Sequence, residues 1–197
     1  MKKTHQLNRR KLLSGLSATA VLPLAASIPF SHAIAQDLPR AAPQWDILEW
    51  INGDGGNVEE LRGKVIIIDF FQLWCPGCNE FSGPLLKSWQ TKYGDAVASD
   101  DLVLVKIHTV FEGRNYQTVQ RLKRYVKEKA ITIPVGVDRH RDNGDRIPIT
   151  MRRYRTRGTP EMAIIDREGM IQFQQFGYFD PPTAETLIDR LLGAKRA

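Results

Sequence analysis

The stretch Val65-Ile66-Ile67-Ile68-Asp69-Phe70-Phe71-Gln72-Leu73-Trp74-Cys75-Pro76-Gly77-Cys78 decides the fold. Residues 65–71 form a near-continuous β-branched and aromatic run, the composition of a strand buried on both faces in a sheet covered by helices. Residues 75–93 can then form a helix, so the two cysteines fall where a buried strand gives way to a helix. They are the only cysteines in 197 residues. A disulfide scaffold needs several separated cysteines, and a C-x-x-C closes too small a loop to staple a domain. The pair therefore points to reversible redox chemistry or to half of a metal site. Structural zinc wants four ligands, and no second C-x-x-C is present to supply them.

Outward from this stretch, the pattern alternates strands and helices. Upstream, residues 36–44 have the composition of a linker, 45–51 read as a strand, and 52–56 as a turn. Downstream, residues 102–107 are a second buried strand. Val119, Leu122, Val126 and Ala130 form an apolar stripe at helical spacing, and residues 133–137 are a short third strand. A charged loop, 138–146, and a short helical piece near Tyr154 follow. Two strands, 162–165 and 171–176, flank the turn Asp166-Arg167-Glu168-Gly169. A last helix has Asp180 as its N-cap, Pro181 and Pro182 in its first turn, and Leu187, Ile188, Leu191 and Leu192 on its buried face. This order describes an α/β domain with a central mixed sheet flanked by helices.

The net charge of +6 belongs to the N-terminal leader. Lys2, Lys3, Arg9, Arg10 and Lys11 precede the first acid, so of 28 basic residues the remaining 23 face 22 acidic ones. The near-neutral remainder excludes a nucleic-acid surface as the default reading. The leader has the order of an export signal: a basic start, an uncharged stretch over 12–30, and Ala33-Ile34-Ala35 as a cleavage-like triplet. The run Asn8-Arg9-Arg10-Lys11-Leu12-Leu13 resembles a twin-arginine signal, and Gly15, Ser17 and Pro23 make the apolar stretch weakly hydrophobic. The expected organisation is a cleaved signal over 1–35, a linker over 36–44 and a single domain over 45–197, exported to the periplasm. A retained leader acting as a membrane anchor is the alternative, against which Pro23 and Pro29 argue.

The run from Asp69 to Cys78 resembles the active-site strand, turn and helix of thioredoxin, and Gly158-Thr159-Pro160 resembles the cis-proline loop before that fold's closing hairpin. From about Trp45 to Leu192 the element order is similar to the TlpA/ResA type of exported thioredoxin-like thiol-disulfide oxidoreductases. That type carries an extra N-terminal strand pair and an inserted helix-strand unit, which correspond here to residues 45–60 and 113–137. The resemblance implies an enzyme in which Cys75 attacks and Cys78 resolves. At a helix N-terminus, Cys75 would have its thiolate stabilised by free N–H groups and the helix dipole, against an ordinary thiol pKa of about 8.5. Pro76 and Gly77 would shape the turn and Trp74 would shield the edge of the site. A cis Thr159-Pro160 bond would present a backbone edge to an extended protein substrate. Asp69 matches the buried acid of thioredoxin, where many TlpA-type relatives carry Asn. Its burial is expected to disfavour the charged form and let it exchange a proton with Cys78.

The resemblance also implies protein disulfide or thiol substrates, a membrane electron donor for a reductase, a monomer, and no cofactor or metal beyond the Cys75-Cys78 pair. Two other functions use the same residues. A peroxiredoxin-like thiol peroxidase wants Thr where Gln72 stands. A copper or zinc carrier would add His108 or His140 to the cysteines, although both histidines read more simply as core or exposed residues. Glu80 is one residue short of the position where TlpA-type proteins often place a Glu; Phe81 stands there. The loop 138–145 lacks the Gly that a calcium loop needs at its sixth position. Arg121, Lys123, Arg124, Lys127 and Lys129 read as the solvated face of the second helix.

Overall fold

The computed structural model describes residues 38–193. The segment expected to be an export leader, with Arg9, Arg10, Ala33 and Ala35, lies outside the described residues. The strands are β1 (Arg40–Ala41), β2 (Ile47–Ile51), β3 (Val65–Phe71), β4 (Leu102–His108), β5 (Val135–Asp138), β6 (Glu161–Ile165) and β7 (Met170–Phe176). The helices are α1 (Gly83–Lys92), α2 (Gly94–Ala98), α3 (Val119–Glu128), α4 (Ile149–Tyr154) and α5 (Pro181–Gly193), with a π-helical segment Cys78–Ser82 leading into α1. One seven-stranded sheet runs in the order β1-β7-β6-β3-β4-β5-β2. β3 pairs parallel to β4 and antiparallel to β6, which makes the sheet mixed.

Strand β3 is buried at every position, as its composition predicts. Alternation sends Val65 and Ile67 to the face covered by Leu86 and Trp89 of α1 and by Ala184 and Ile188 of α5. It sends Ile66, Ile68 and Phe70 to the opposite face, with Tyr154 of α4 and the N-terminal Trp45, Val58 and Leu61. Further along the first face, Phe71 packs with both cysteines and with Leu122 and Val126 of α3. The sheet thus has helices on both sides, and the end of β3 opens directly onto the cysteines.

Three expectations change. The stretch 36–44 is not simply a linker: Arg40 and Ala41 pair with Ile171 and Met170, and Ala42 N–H donates to Gly169 O at 2.9 Å. β7 is an edge strand with open ladder groups, and it recruits even a two-residue segment. Of the extra strands expected within 45–60 only β2 forms there, antiparallel to β5 at one edge of the sheet, while β1 lies upstream and closes the other edge. Trp50 of β2 lies opposite Gly136, where a Cβ would sit 2.9 Å from its ring. The helix expected over 75–93 is broken into helical residues 76–77, the π-helical segment and α1. Pro84 explains the break, because it has no N–H to donate to Glu80 O and its ring crowds that carbonyl. Gly83 N–H instead reaches back to Cys78 O, the wider π pattern.

Candidate active site

Cys75 and Cys78 are joined as a disulfide, with their Cα atoms 5.2 Å apart. Cys75 stands immediately before the first helical residue, Pro76, a position where proline's missing N–H costs nothing. The Cys75 Sγ accepts from Cys78 N–H at 3.1 Å, so the sulfur itself caps the helix, and Asn79 N–H reaches Cys75 O at 3.1 Å. Cys78 is fully buried, whereas Cys75 keeps 6 % of its surface exposed. Cys75 is thus the more accessible of the two residues.

The cis-proline loop closes over this turn. The Thr159-Pro160 peptide is cis, and a Cβ added to Gly77 would lie 2.9 Å from Pro160 Cδ. Gly77 is therefore what lets the two loops touch. Gly177 N–H donates to Pro160 O at 2.8 Å, tying the loop to the end of β7. Trp74, on the outer side, is 43 % exposed and stacks on Tyr116 with ring centroids 5.5 Å apart.

Asp69 is wholly buried, as expected, but it is not alone among apolar side chains. The β3–β4 register sets it opposite Lys106, and the two side chains form a buried ion pair. Lys106 stands inside an apolar strand run, and a lysine there is the sequence signal that a buried acid lies across from it. Its Nζ also sits 4.4 Å from the centre of the Phe71 ring. Asp69 Oδ1 has no hydrogen-bond partner among the described residues. A cavity of about 250 Å³ is lined by Cys78, Asn79, Lys106, Tyr125 and Lys129, so Cys78 and Lys106 border one space.

Four further residues escape a reading of motifs. Gln72 Oε1 accepts from Trp74 Nε1 at 2.8 Å and from Gln117 Nε2 at 2.7 Å, while its own amide donates to Thr109 O at 3.0 Å. Gln117 Oε1 accepts from Leu73 N–H at 2.8 Å. Asn79 Nδ2 donates to Leu73 O and Cys75 O, and Tyr125 donates its hydroxyl to Asn79 Oδ1 at 3.1 Å. Residues 72–75 are held on both backbone sides by groups that only the fold brings near. Phe81, by contrast, turns to Tyr178 and Phe179, and Glu80 is exposed.

His108 belongs to the same network: its ring Nε2 lies 3.1 Å from Gln117 Oε1, a carbonyl that already accepts from Leu73, so the ring donates. Burial pushes its pKa down to about 4. Asp138 accepts from Thr109 Oγ1 and from the N–H groups of Thr150 and Met151, yet burial outweighs these bonds and raises its pKa to about 6. His140 is bonded to Arg114. Among the described residues no three His, Cys, Asp or Glu side chains gather as a metal site.

This geometry matches known proteins. A crystal structure of a thioredoxin-like superfamily protein superposes with a TM-score of 0.74 at 34 % identity, covering 80 % of this chain and 99 % of that one. The chain belongs to the thioredoxin-like superfamily, in its TlpA/ResA-type family of thiol-disulfide oxidoreductases. A thiol-disulfide isomerase from Corynebacterium glutamicum superposes with a TM-score of 0.70 at 36 % identity, over 78 % of this chain and 98 % of that one. Sporulation thiol-disulfide oxidoreductase A of Bacillus subtilis is 28 % identical over 167 residues, 85 % of this chain and 89 % of its own length. Protein DipZ of Mycobacterium tuberculosis is 28 % identical over 152 residues, but the match spans only 20 % of that protein's length. No protein-family model matches the chain.

Two expectations follow for the interior of this thioredoxin-like site. Removing one partner of a buried ion pair is costly, whereas replacing both with apolar groups is often neutral. Asp69→Leu alone should lower unfolding free energy in urea by about 3–5 kcal/mol, and Asp69→Leu with Lys106→Met should recover most of it. For His108, the unfolded chain, titrating near 6.5, binds more protons than the folded one between there and about 4. Stability therefore falls as pH drops through that window, by about 3 kcal/mol at most. Asp138 works the other way between 3.8 and about 6, because there the folded chain holds the extra proton. The stability advantage of the wild type over His108→Gln should shrink steadily from pH 7 to pH 4, as measured by urea unfolding at each pH; a constant difference would show that His108 does not titrate as a buried neutral ring.

Proposed function

We propose that this chain is an extracytoplasmic thiol-disulfide oxidoreductase that reduces disulfides in protein substrates. The observation that carries this reading is the pairing of one accessible and one buried sulfur at a helix start, pressed against a cis-proline loop. The Cys75 thiolate attacks a substrate disulfide, forming a Cys75–substrate bond and releasing one substrate thiolate, which takes up a proton. Cys78 then loses its proton and attacks Cys75 Sγ; the Cys75-Cys78 bond forms and the second substrate thiolate leaves. Two electrons pass from the dithiol to the substrate, and the pair itself carries them, so no dissociable cofactor or metal is needed.

Asp69 is the acceptor for the Cys78 proton in this scheme. Lys106 supplies the countercharge that lets the carboxylate stay buried, and the shared cavity supports a route from the sulfur to the pair. Thr159 offers backbone groups beside the sulfurs for an extended substrate segment, with Trp74 as the outer wall. The basic leader with Arg9 and Arg10, cut after Ala35, supports twin-arginine export to the periplasm, where a membrane donor would return the disulfide to the dithiol. The chain works as a monomer.

Reduction of insulin disulfides by the reduced protein tests the scheme. Cys75→Ser should abolish turnover, and Cys78→Ser should trap a mixed disulfide; full activity in Cys75→Ser would refute the mechanism. Asp69→Asn should slow the resolving step on the order of a hundredfold near neutral pH and change its pH profile. Titration against glutathione gives the direction: a potential near −120 mV, the oxidising end for this fold, would exclude a reductase.

A further inference from the structure

Two guanidinium groups rest on aromatic rings that pack against Trp74 and the cis-proline loop. On the Trp74 side, Arg121 Cζ lies 4.1 Å from the centre of the Tyr116 ring, and Tyr116 stacks in turn on Trp74. On the cis-proline side, Arg157 Cζ lies 5.5 Å from the centre of the Phe176 ring. Phe176 packs on the loop itself, since a Cβ at Gly158 would sit 2.7 Å from its Cε2. Tyr116 and Phe176 are 46 % and 39 % exposed, so both stacks open to solvent.

Neither guanidinium is held in an ion pair with a carboxylate. Among the described residues Arg121 and Arg157 take part in no ion pair, and the exposed Glu80, Glu112 and Glu128 pair with neither. The buried Glu161 accepts from Arg157 N–H and Gln174 Nε2 and feels the Arg157 charge, but the Arg157 guanidinium forms no hydrogen bond or ion pair with it. A guanidinium laid on a ring loses rotational freedom while its N–H edges stay free, which prepares it to take a carboxylate in a two-point bond. Arg121 is thus more than part of the solvated face of α3; the inserted segment carries Tyr116 to it.

We propose that the preferred substrate segment carries carboxylate side chains on both sides of its exchanging cysteine, and that Arg121 and Arg157 bind them. The inference rests on the disulfide-exchange reading: the cysteine would meet Cys75 between Trp74 and Pro160, with its flanks running toward the two stacks. Tyr116 and Phe176 supply flat apolar contact beneath each guanidinium.

The test uses the full chain and disulfide-linked peptide probes of one length with Asp, Ser or Lys flanking the cysteine. At low salt the Asp probe should exchange about three- to tenfold faster than the Ser probe, with the Lys probe slowest. The ratio should shrink in salt of about 0.5 M and fall to about one in R121Q/R157Q. Equal rates for the three probes would overturn the proposal, as would an Asp advantage that persists in the double variant, since it would then come from the probe's own thiol chemistry. Binding of Cys→Ser probes, followed by tryptophan fluorescence, separates this inference from the reading beneath it. Preference for the Asp probe in binding, lost in R121Q/R157Q, supports the charge readout even if no probe exchanges; equal binding of Asp and Lys probes overturns it.

Discussion

Everything at the site hangs from the end of β3. The strand is hydrogen-bonded on both edges, to β4 and to β6, and buried on both faces, so Phe71 is a fixed point in the molecule. The chain leaves it over residues 72–74 and must place a sulfur at the start of a helix within that span. Because strand side chains alternate, Asp69 and Phe71 share the face on which the cysteines pack, while Ile68 and Phe70 fill the other layer. A shift of register by one residue would exchange those layers and remove the acid from beneath the disulfide.

That arrangement requires polar groups deep in an apolar sheet, and the structure satisfies most of them pairwise. Asp69 meets Lys106 because the parallel register with β4 sets them opposite, and Gln72 meets Thr109 and Gln117. Such pairs contribute little net stability, since desolvation offsets most of the attraction. Their position matters more than their net energy: Gln72 and Gln117 hold residues 72–75, and Lys106 borders the cavity that Cys78 also lines. Asp69 Oδ1 and His108 Nδ1 remain without partners among the described residues, and both belong to this polar layer.

The legibility of these features in the sequence follows their range. β3 was readable residue for residue because burial on both faces leaves an unbroken apolar run, and Asp180 was readable as a cap because a cap acts three residues away, at Thr183. The cysteines were readable because their spacing is chemistry. Lys106 was visible only as an anomaly in an apolar strand, since its meaning depends on a register that sequence does not state. Gln117, Tyr116 and Tyr125 carry no motif at all. They matter through contacts 42 to 46 positions away; Tyr116 and Gln117 lie in the irregular approach to α3, and Tyr125 looks like an ordinary half-buried position of an amphipathic helix. β1 was missed for a related reason: two residues have no periodicity, and only the open edge of β7 makes them a strand.

The inserted unit is therefore best understood as part of the site. Leu73 is held from both sides, its N–H by Gln117 and its carbonyl by Asn79, and Asn79 is held by Tyr125. Gln117 and Tyr125 both come from the segment that a simpler version of the fold would lack. The same segment supplies Tyr116, which braces Trp74, and Gly113, whose missing side chain makes room for the Trp74 ring. Three independent contacts converge on residues 72–75 from one insertion. A loop that carries a nucleophile cannot wander without changing the geometry of attack, and short unpaired loops wander by default. By adding α3 and its approach segment, the chain converts the connection between β3 and the cysteine helix from a loop into a clamped element, braced on its exposed side by the Trp74–Tyr116 stack.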